Sequence, residues 1–151
     1  MLFYAARSDH LDNAIRPALA AGRWVICDRF SDSTRVYQGA AGGLEATVLE
    51  KLEAIVVGQN SPDLTIILDL AADIGLARAA SRRRGGPPAS SQPDTFEKRA
   101  LAFHERLRKG YAAIAGAEPQ RCLLVDAAKT IDLLAAEIWG HVERRLLSGA
   151  C

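Results

Sequence analysis

Asp28 and Arg29 stand side by side directly after the apolar run Trp24-Val25-Ile26, and Ser33, Thr34, Tyr37 and Gln38 follow closely. An Arg at the carboxyl end of a strand can grip a phosphate with its planar fork of donors. A neighbouring Asp can orient that Arg, or hold a Mg²⁺ ion through water. The carboxyl ends of strands are also where open α/β sheets bind ligands. Two hydroxyls and an amide can read a base edge, and a Tyr ring can wall a sugar. An Asp-Arg pair alone reads as a surface ion pair; the polar residues after it favour a phosphate-and-base site. Phe3 and Arg7, four residues apart, share a helix face. Phe can stack on a planar base and Arg can donate to a carbonyl on it. Each taken singly reads otherwise, Phe3 as core and Arg7 as a solvated charge.

The elements that position these residues follow from the apolar pattern. Leu2 to Ala21 predicts a helix with Phe3, Ala6, Ile15 and Leu19 in its apolar set, stopped at Gly22. Trp24 to Cys27 predicts a short buried strand, and residues 29–43 a loop-rich segment. Leu44, Val48, Leu52, Ile55 and Val56 share one face of a helix spanning 44–57. Leu64 to Leu70 has the nearly all-apolar pattern of a strand buried on both faces. Asp73 is placed to cap a helix from Ile74 to about Arg83. Residues 84–93 are rich in Gly, Pro and Ser and read as irregular. Phe96, Ala100, Phe103, Leu107, Tyr111 and Ile114 mark a long helix, and Arg121 to Val125 a third strand. Thr130 caps a last helix with Leu134, Ile138, Val142 and Leu146 along one side. This alternation predicts a parallel sheet flanked by helices.

The 151 residues predict one domain with a sizeable core. A hydrophobic share of 49% and a charged share of 25% are ordinary for a water-soluble globular chain. The net charge of +1 argues against a surface built for nucleic acid. Cys27 and Cys122 read as small buried hydrophobes and Cys151 as a terminal thiol, with no metal-binding spacing. His10, His104 and His141 read as scattered surface residues. No membrane-length apolar run and no signal-peptide pattern occur, so a cytoplasmic protein is expected.

Several linked runs then carry a resemblance. Leu2-Phe3-Tyr4-Ala5-Ala6-Arg7, Pro17-Ala18-Leu19, the run from Trp24 to Phe30 and Ser33-Thr34-Arg35-Val36-Tyr37-Gln38-Gly39 resemble bacterial thymidylate kinase in the family's own order. Pro62-Asp63-Leu64-Thr65 with Leu68-Asp69, Phe96-Glu97 and the run from Phe103 to Tyr111 extend the likeness. The resemblance implies an α/β, P-loop NTPase-like parallel sheet with flanking helices. It implies transfer of the γ-phosphoryl group of ATP to dTMP, with Mg²⁺. Phe3 would stack on thymine and Arg7 would bond its O4. Arg29 would hold the dTMP phosphate, with Asp28 organising that Arg and magnesium-bound water. Ser33, Thr34 and Gln38 would contribute around base and phosphate, and Tyr37 would pack on the deoxyribose and disfavour a 2′-hydroxyl. Arg82, Arg83 and Arg84, which singly read as a solvated helix end, would begin a lid over ATP at about 82–95. Arg83 and Arg84 are then candidates for its catalytic Arg. Asp126 and Ala127 would lie beside adenine. Homodimerisation through the first helix or the 44–57 helix is also implied.

Three departures qualify the likeness. Ala40-Ala41-Gly42-Gly43 stands where the family has an Arg, and Thr95 where many members have one. No GxxxxGK(S/T) run, the loop that cradles ATP phosphates, occurs in the 151 residues. The expectation is therefore an incomplete member lacking an N-terminal βαβ portion, poorly stable and inactive as a kinase by itself. A non-catalytic dTMP-binding homologue and a kinase for another nucleoside monophosphate are the alternatives.

Overall fold

The computed structural model describes residues 2–85 and 101–148, without the side chains of residue 80 and residues 83–85. It divides into two compact units, Met1–Pro62 and Asp63–Cys151.

In the first unit, helix α1 (Leu2–His10) widens into a π-helical stretch (Leu11–Ile15) and continues as α2 (Arg16–Ala20). Pro17 sits in the first turn of α2, where its missing N–H costs nothing. Gly22, at φ +68°, ends the helix in the left-handed conformation that an L residue seldom adopts. The buried residues of this helical run are Tyr4, Leu11 and Ile15. Phe3 and Leu19 belong instead to its exposed side, a correction to the expected apolar set. The π stretch inserts backbone and shifts the helical phase, which period counting does not register.

The expected strand at 24–27 is not formed. These residues carry no regular structure, and the described sheet has only the two strands of the second unit. Val25 and Cys27 are half-buried while Trp24 and Ile26 are 63% and 97% exposed. The alternation of a strand is there without a ladder, because no neighbouring strand among the described residues satisfies its backbone. Residues 29–43 are also corrected: α3 (Ser31–Thr34) leads into a second π-helical stretch, Arg35–Ala40. Helix α4 (Ala46–Val56) buries Leu49, whereas Leu44, Val48 and Ile55 are exposed. Tyr4 ties α1 to α4 by donating its hydroxyl to the Leu49 carbonyl, at 3.3 Å.

In the second unit, β1 (Thr65–Asp69) pairs in parallel with β2 (Cys122–Asp126), Thr65 opposite Cys122 and Asp69 opposite Asp126. Thr65 N donates to Arg121 O and Ala127 N to Asp69 O, each at 2.8 Å, extending the ladder at both ends. β1 is not buried on both faces: Ile67 is buried, but Leu68 is 55% exposed. Helix α5 (Ala72–Gly85) starts before Asp73, so Asp73 lies in its first turn and not at the cap. Helix α6 (Leu101–Ala117) buries Phe103, Leu107 and Ile114 as the period predicts; Phe96 and Ala100 lie outside the described residues. Thr130 occupies the N-cap of α7 (Ile131–Val142), but its hydroxyl makes no capping bond. A last π-helical stretch, Glu143–Leu147, follows. Leu134, Ile138, Val142 and Leu146 are all half-buried, the expected side. Cys122 is buried as expected, Cys27 only partly, and Cys151 is outside the described residues. His104 is a correction: it is half-buried, packs edge-on against Phe103, and its Nε2 is buried. Among the described residues no helix is long and apolar enough to cross a membrane.

Leu11 is fully buried where α1 meets the π stretch. Leu11→Ala should lower unfolding free energy by about 2–5 kcal/mol, measured by urea titration. Arg108 and Asp69 form a two-pronged ion pair, Nε–Oδ1 and Nη2–Oδ2 both at 2.7 Å. The Arg108 hydrogen bond holds the Asp69 carboxyl below its ordinary 3.8, although burial pulls the other way. A depressed carboxylate contributes stability above its unfolded pKa and loses it as pH falls through the folded one. The stability gap between wild type and Arg108→Ala should therefore be widest at neutral pH and narrow as pH falls into the acid range, read by urea titration across that range.

Candidate functional site

Two contacts in the first unit join expected site residues: half-buried Arg7 with Thr34, and exposed Arg29 with Tyr37. Arg7, on α1, reaches across to the turn before α3. Its Nη2 donates to the Phe30 carbonyl at 3.1 Å and to Thr34 Oγ1 at 2.9 Å. The guanidinium carbon lies 5.2 Å from the ring centroids of both Tyr4 and Phe30. Nη1 is buried and has no hydrogen-bond partner among the described residues. Burial pulls the Arg7 pKa below its ordinary value, while Tyr4, Glu53, Cys27 and Asp32 oppose that pull. A desolvated cation with one idle donor nitrogen is costly unless a further acceptor completes it. Arg7 is thus the reverse of the solvated charge its residue type suggests.

Phe3, one turn earlier on the same helix, is 54% exposed. It is not a core residue, and its ring is available to an external partner. Thr34 is buried and held by Arg7, Ser33 and Gln38 are half-buried, and Asp28 and Arg29 are exposed. Arg29 adopts φ +66°, the left-handed region that a side-chain-bearing residue seldom enters. Its guanidinium lies over the Tyr37 ring, 4.6 Å from the centroid. Asp32, in α3, is buried and accepts from Arg35 Nη1 at 3.1 Å. Gly42 closes the segment: a Cβ there would stand 2.6 Å from the Tyr37 carbonyl oxygen and 2.7 Å from that of Gln38. Only glycine permits that close return of the chain.

The second unit holds the other expected residues. Arg82 is exposed on α5; the Arg83 and Arg84 side chains lie outside the described residues, as does most of the expected lid. Asp126 ends β2, and its Oδ1 accepts from Ala128 N at 2.8 Å. Ala127 is fixed twice, by its N–H to Asp69 O and by its carbonyl, which accepts from Arg78 Nη1 at 2.9 Å. The 126–128 turn is therefore a rigid ledge at the carboxyl end of the sheet. Beside it, Asp69, Asp73, Glu105, Arg108 and Lys109 line an open cavity of ≈ 610 Å³. No group of three or more His, Cys, Asp or Glu side chains that could cage a metal occurs among the described residues.

A thymidylate kinase family profile matches residues 1–138. The chain belongs to the thymidylate kinase family. It is similar to the thymidylate kinase of Nitrobacter winogradskyi, 48% identical over 98% of this chain and 62% of that protein. It is similarly related to the thymidylate kinase of Rhodopseudomonas palustris, 49% identical over 99% of this chain and 63% of that protein. The crystal structure of thymidylate kinase from Ehrlichia chaffeensis superposes with a TM-score of 0.65 and 27% identity, over 92% of this chain and 59% of that one. The chain thus spans a little over 60% of the length of the curated relatives it matches. Its fold class is α/β and P-loop NTPase-like, in part, with a parallel sheet and flanking helices.

For a thymidylate kinase family member, the residues missed from sequence are the aromatic walls of Arg7. Tyr4 stands three residues before Arg7, a helical neighbour spacing that signals the contact. Phe30 has no such local signal, because it meets Arg7 only through the fold. Removing the Thr34 hydroxyl takes away one of the two acceptors of Arg7 Nη2 and leaves only the Phe30 carbonyl. Thr34→Val should cost about 1–3 kcal/mol in urea titration and Thr34→Ser should restore most of it.

Proposed function

We propose that the first unit is the acceptor half of a thymidylate kinase, the part that binds dTMP while ATP supplies the γ-phosphoryl group. The observation carrying this reading is the unpartnered Nη1 of Arg7 on the same helix as the exposed Phe3, four residues before it. Thymine offers a flat face to Phe3 and an O4 carbonyl oxygen to Nη1. Thr34 and the Phe30 carbonyl hold the guanidinium through Nη2, which leaves Nη1 as the donor for that oxygen. Ser33 and Gln38 contribute around base and phosphate. Tyr37 packs on the deoxyribose, where an added 2′-hydroxyl would crowd its ring. Arg29 takes the phosphate monoester, and Asp28 organises that Arg and the water around Mg²⁺.

Phosphoryl transfer asks a protein mainly for alignment and positive charge at the equatorial oxygens. Mg²⁺ would neutralise charge building between the bridging and transferring oxygens. Arg29 holds the acceptor oxygen steady, while Arg82 and the candidate catalytic residues Arg83 and Arg84 add positive charge from the lid side. The ledge of Asp126 and Ala127 offers adenine a fixed backbone edge. Closure of an Arg-bearing lid would also exclude water. A homodimer contact on α4 is supported by Val48 and Ile55, 41% and 79% exposed. A cytoplasmic setting accords with this reading. The 151-residue polypeptide, without a GxxxxGK(S/T) run, is proposed to bind dTMP and transfer nothing by itself.

Titration calorimetry of the 151-residue polypeptide with dTMP should give saturable binding, weakened at least about tenfold by Arg7→Met. A coupled assay with dTMP and Mg-ATP should give no dTDP. Absence of dTMP binding overturns the acceptor-site reading, and dTDP formation overturns the inactivity.

A further inference from the structure

Arg29 is a long, exposed side chain at a position where the backbone is already in a rare conformation. An Arg of this kind normally samples many rotamers, and ordering it on a ligand lowers affinity. Here the guanidinium is already seated, over the face of Tyr37 at 4.6 Å from the centroid. The seat is aromatic and not acidic: among the described residues Arg29 enters no ion pair. That difference has a chemical consequence. A carboxylate would occupy the N–H donors of the fork and compete with an incoming anion. A ring face attracts the cation through its quadrupole and leaves all five N–H donors for an oxyanion.

The fold builds this seat deliberately. Val36 is buried at 1% exposure and anchors the π-helical stretch 35–40, while the next residue, Tyr37, is half-buried. Gly42 lets the chain return against the Tyr37 carbonyl. Arg29 itself takes the left-handed backbone conformation, directly after residues 24–28.

We infer that Tyr37 is a positioning residue for Arg29, whose ring pre-seats the guanidinium with its donors free for the phosphate monoester of the acceptor nucleotide. This rests on the dTMP reading above and adds to it: Tyr37 acts on the phosphate end through Arg29, besides any contact with the sugar.

The test is the affinity ratio between dTMP and thymidine, which isolates the phosphate, measured by calorimetry on the 151-residue polypeptide. Tyr37→Leu should shrink the ratio about two- to fivefold, and Tyr37→Phe, which keeps the ring, should leave it unchanged. In an Arg29→Ala background, Tyr37→Leu should change the ratio no further. If Tyr37→Leu weakens dTMP and thymidine equally, the ring only walls the sugar and the inference fails while the dTMP reading stands. If the wild-type chain binds neither ligand, it is the dTMP reading that fails. The Arg29 δ-proton NMR shifts of the wild type give a reading that needs no variant: ring-shifted values support the seat, and random-coil values overturn it.

Discussion

The arrangement of the first unit depends on the burial of one charge. A guanidinium cannot shed its proton when it leaves water, so the surrounding chain must replace its hydration. Arg7 is met by two ring faces, a carbonyl and a hydroxyl. Those four partners come from α1, the turn at Phe30 and α3, and satisfying them brings three segments into one place. Nη1 is left without a partner among the described residues, and the proposed function assigns it, with the half-exposed Phe3 ring one turn away, to the base of the acceptor nucleotide.

A second cation works in the opposite way. Arg29 is in water, strained at its backbone and held only by a ring. Arg7 is rigid and suited to selecting a carbonyl on a base, where a lost or gained donor is strongly discriminated. Arg29 is accessible and suited to receiving a doubly charged group. Both contact residues of the same short segment, Arg7 through Phe30 and Thr34 and Arg29 through Tyr37, so under the proposed function base and phosphate are read by different donors. In the second unit the same economy appears in Asp69, whose carbonyl accepts from Ala127 while its carboxylate is clamped by Arg108.

Much of this was legible in the residues. The helical run 2–20, the strands near 65 and 122, and the buried Phe103, Leu107 and Ile114 follow directly from apolar period. Phe3, Arg7, Asp28 and Arg29 stand out as candidates by residue type and spacing, and the linked runs carry the family resemblance. What was not legible has physical causes. A strand at 24–27 is written in its apolar alternation, but a ladder needs a neighbour, and Ile26 is left 97% exposed. The π-helical stretches at 11–15 and 35–40 shift phase in a way no fixed period encodes. The Phe30 wall on Arg7 and the Tyr37 seat under Arg29 arise from tertiary return of the chain, which local spacing does not show.

The central claim is that Arg7 Nη1 is a preset donor awaiting a carbonyl oxygen on a pyrimidine. The most direct measurement compares dTMP with 5-methyl-dCMP, which keeps the sugar, the phosphate and the methyl group but replaces the O4 acceptor by an amino donor. Calorimetry on the same polypeptide should show 5-methyl-dCMP binding at least about tenfold more weakly, since two donors then face each other across a buried contact. Equal affinities would contradict the account, because Nη1 would then play no part in reading the base.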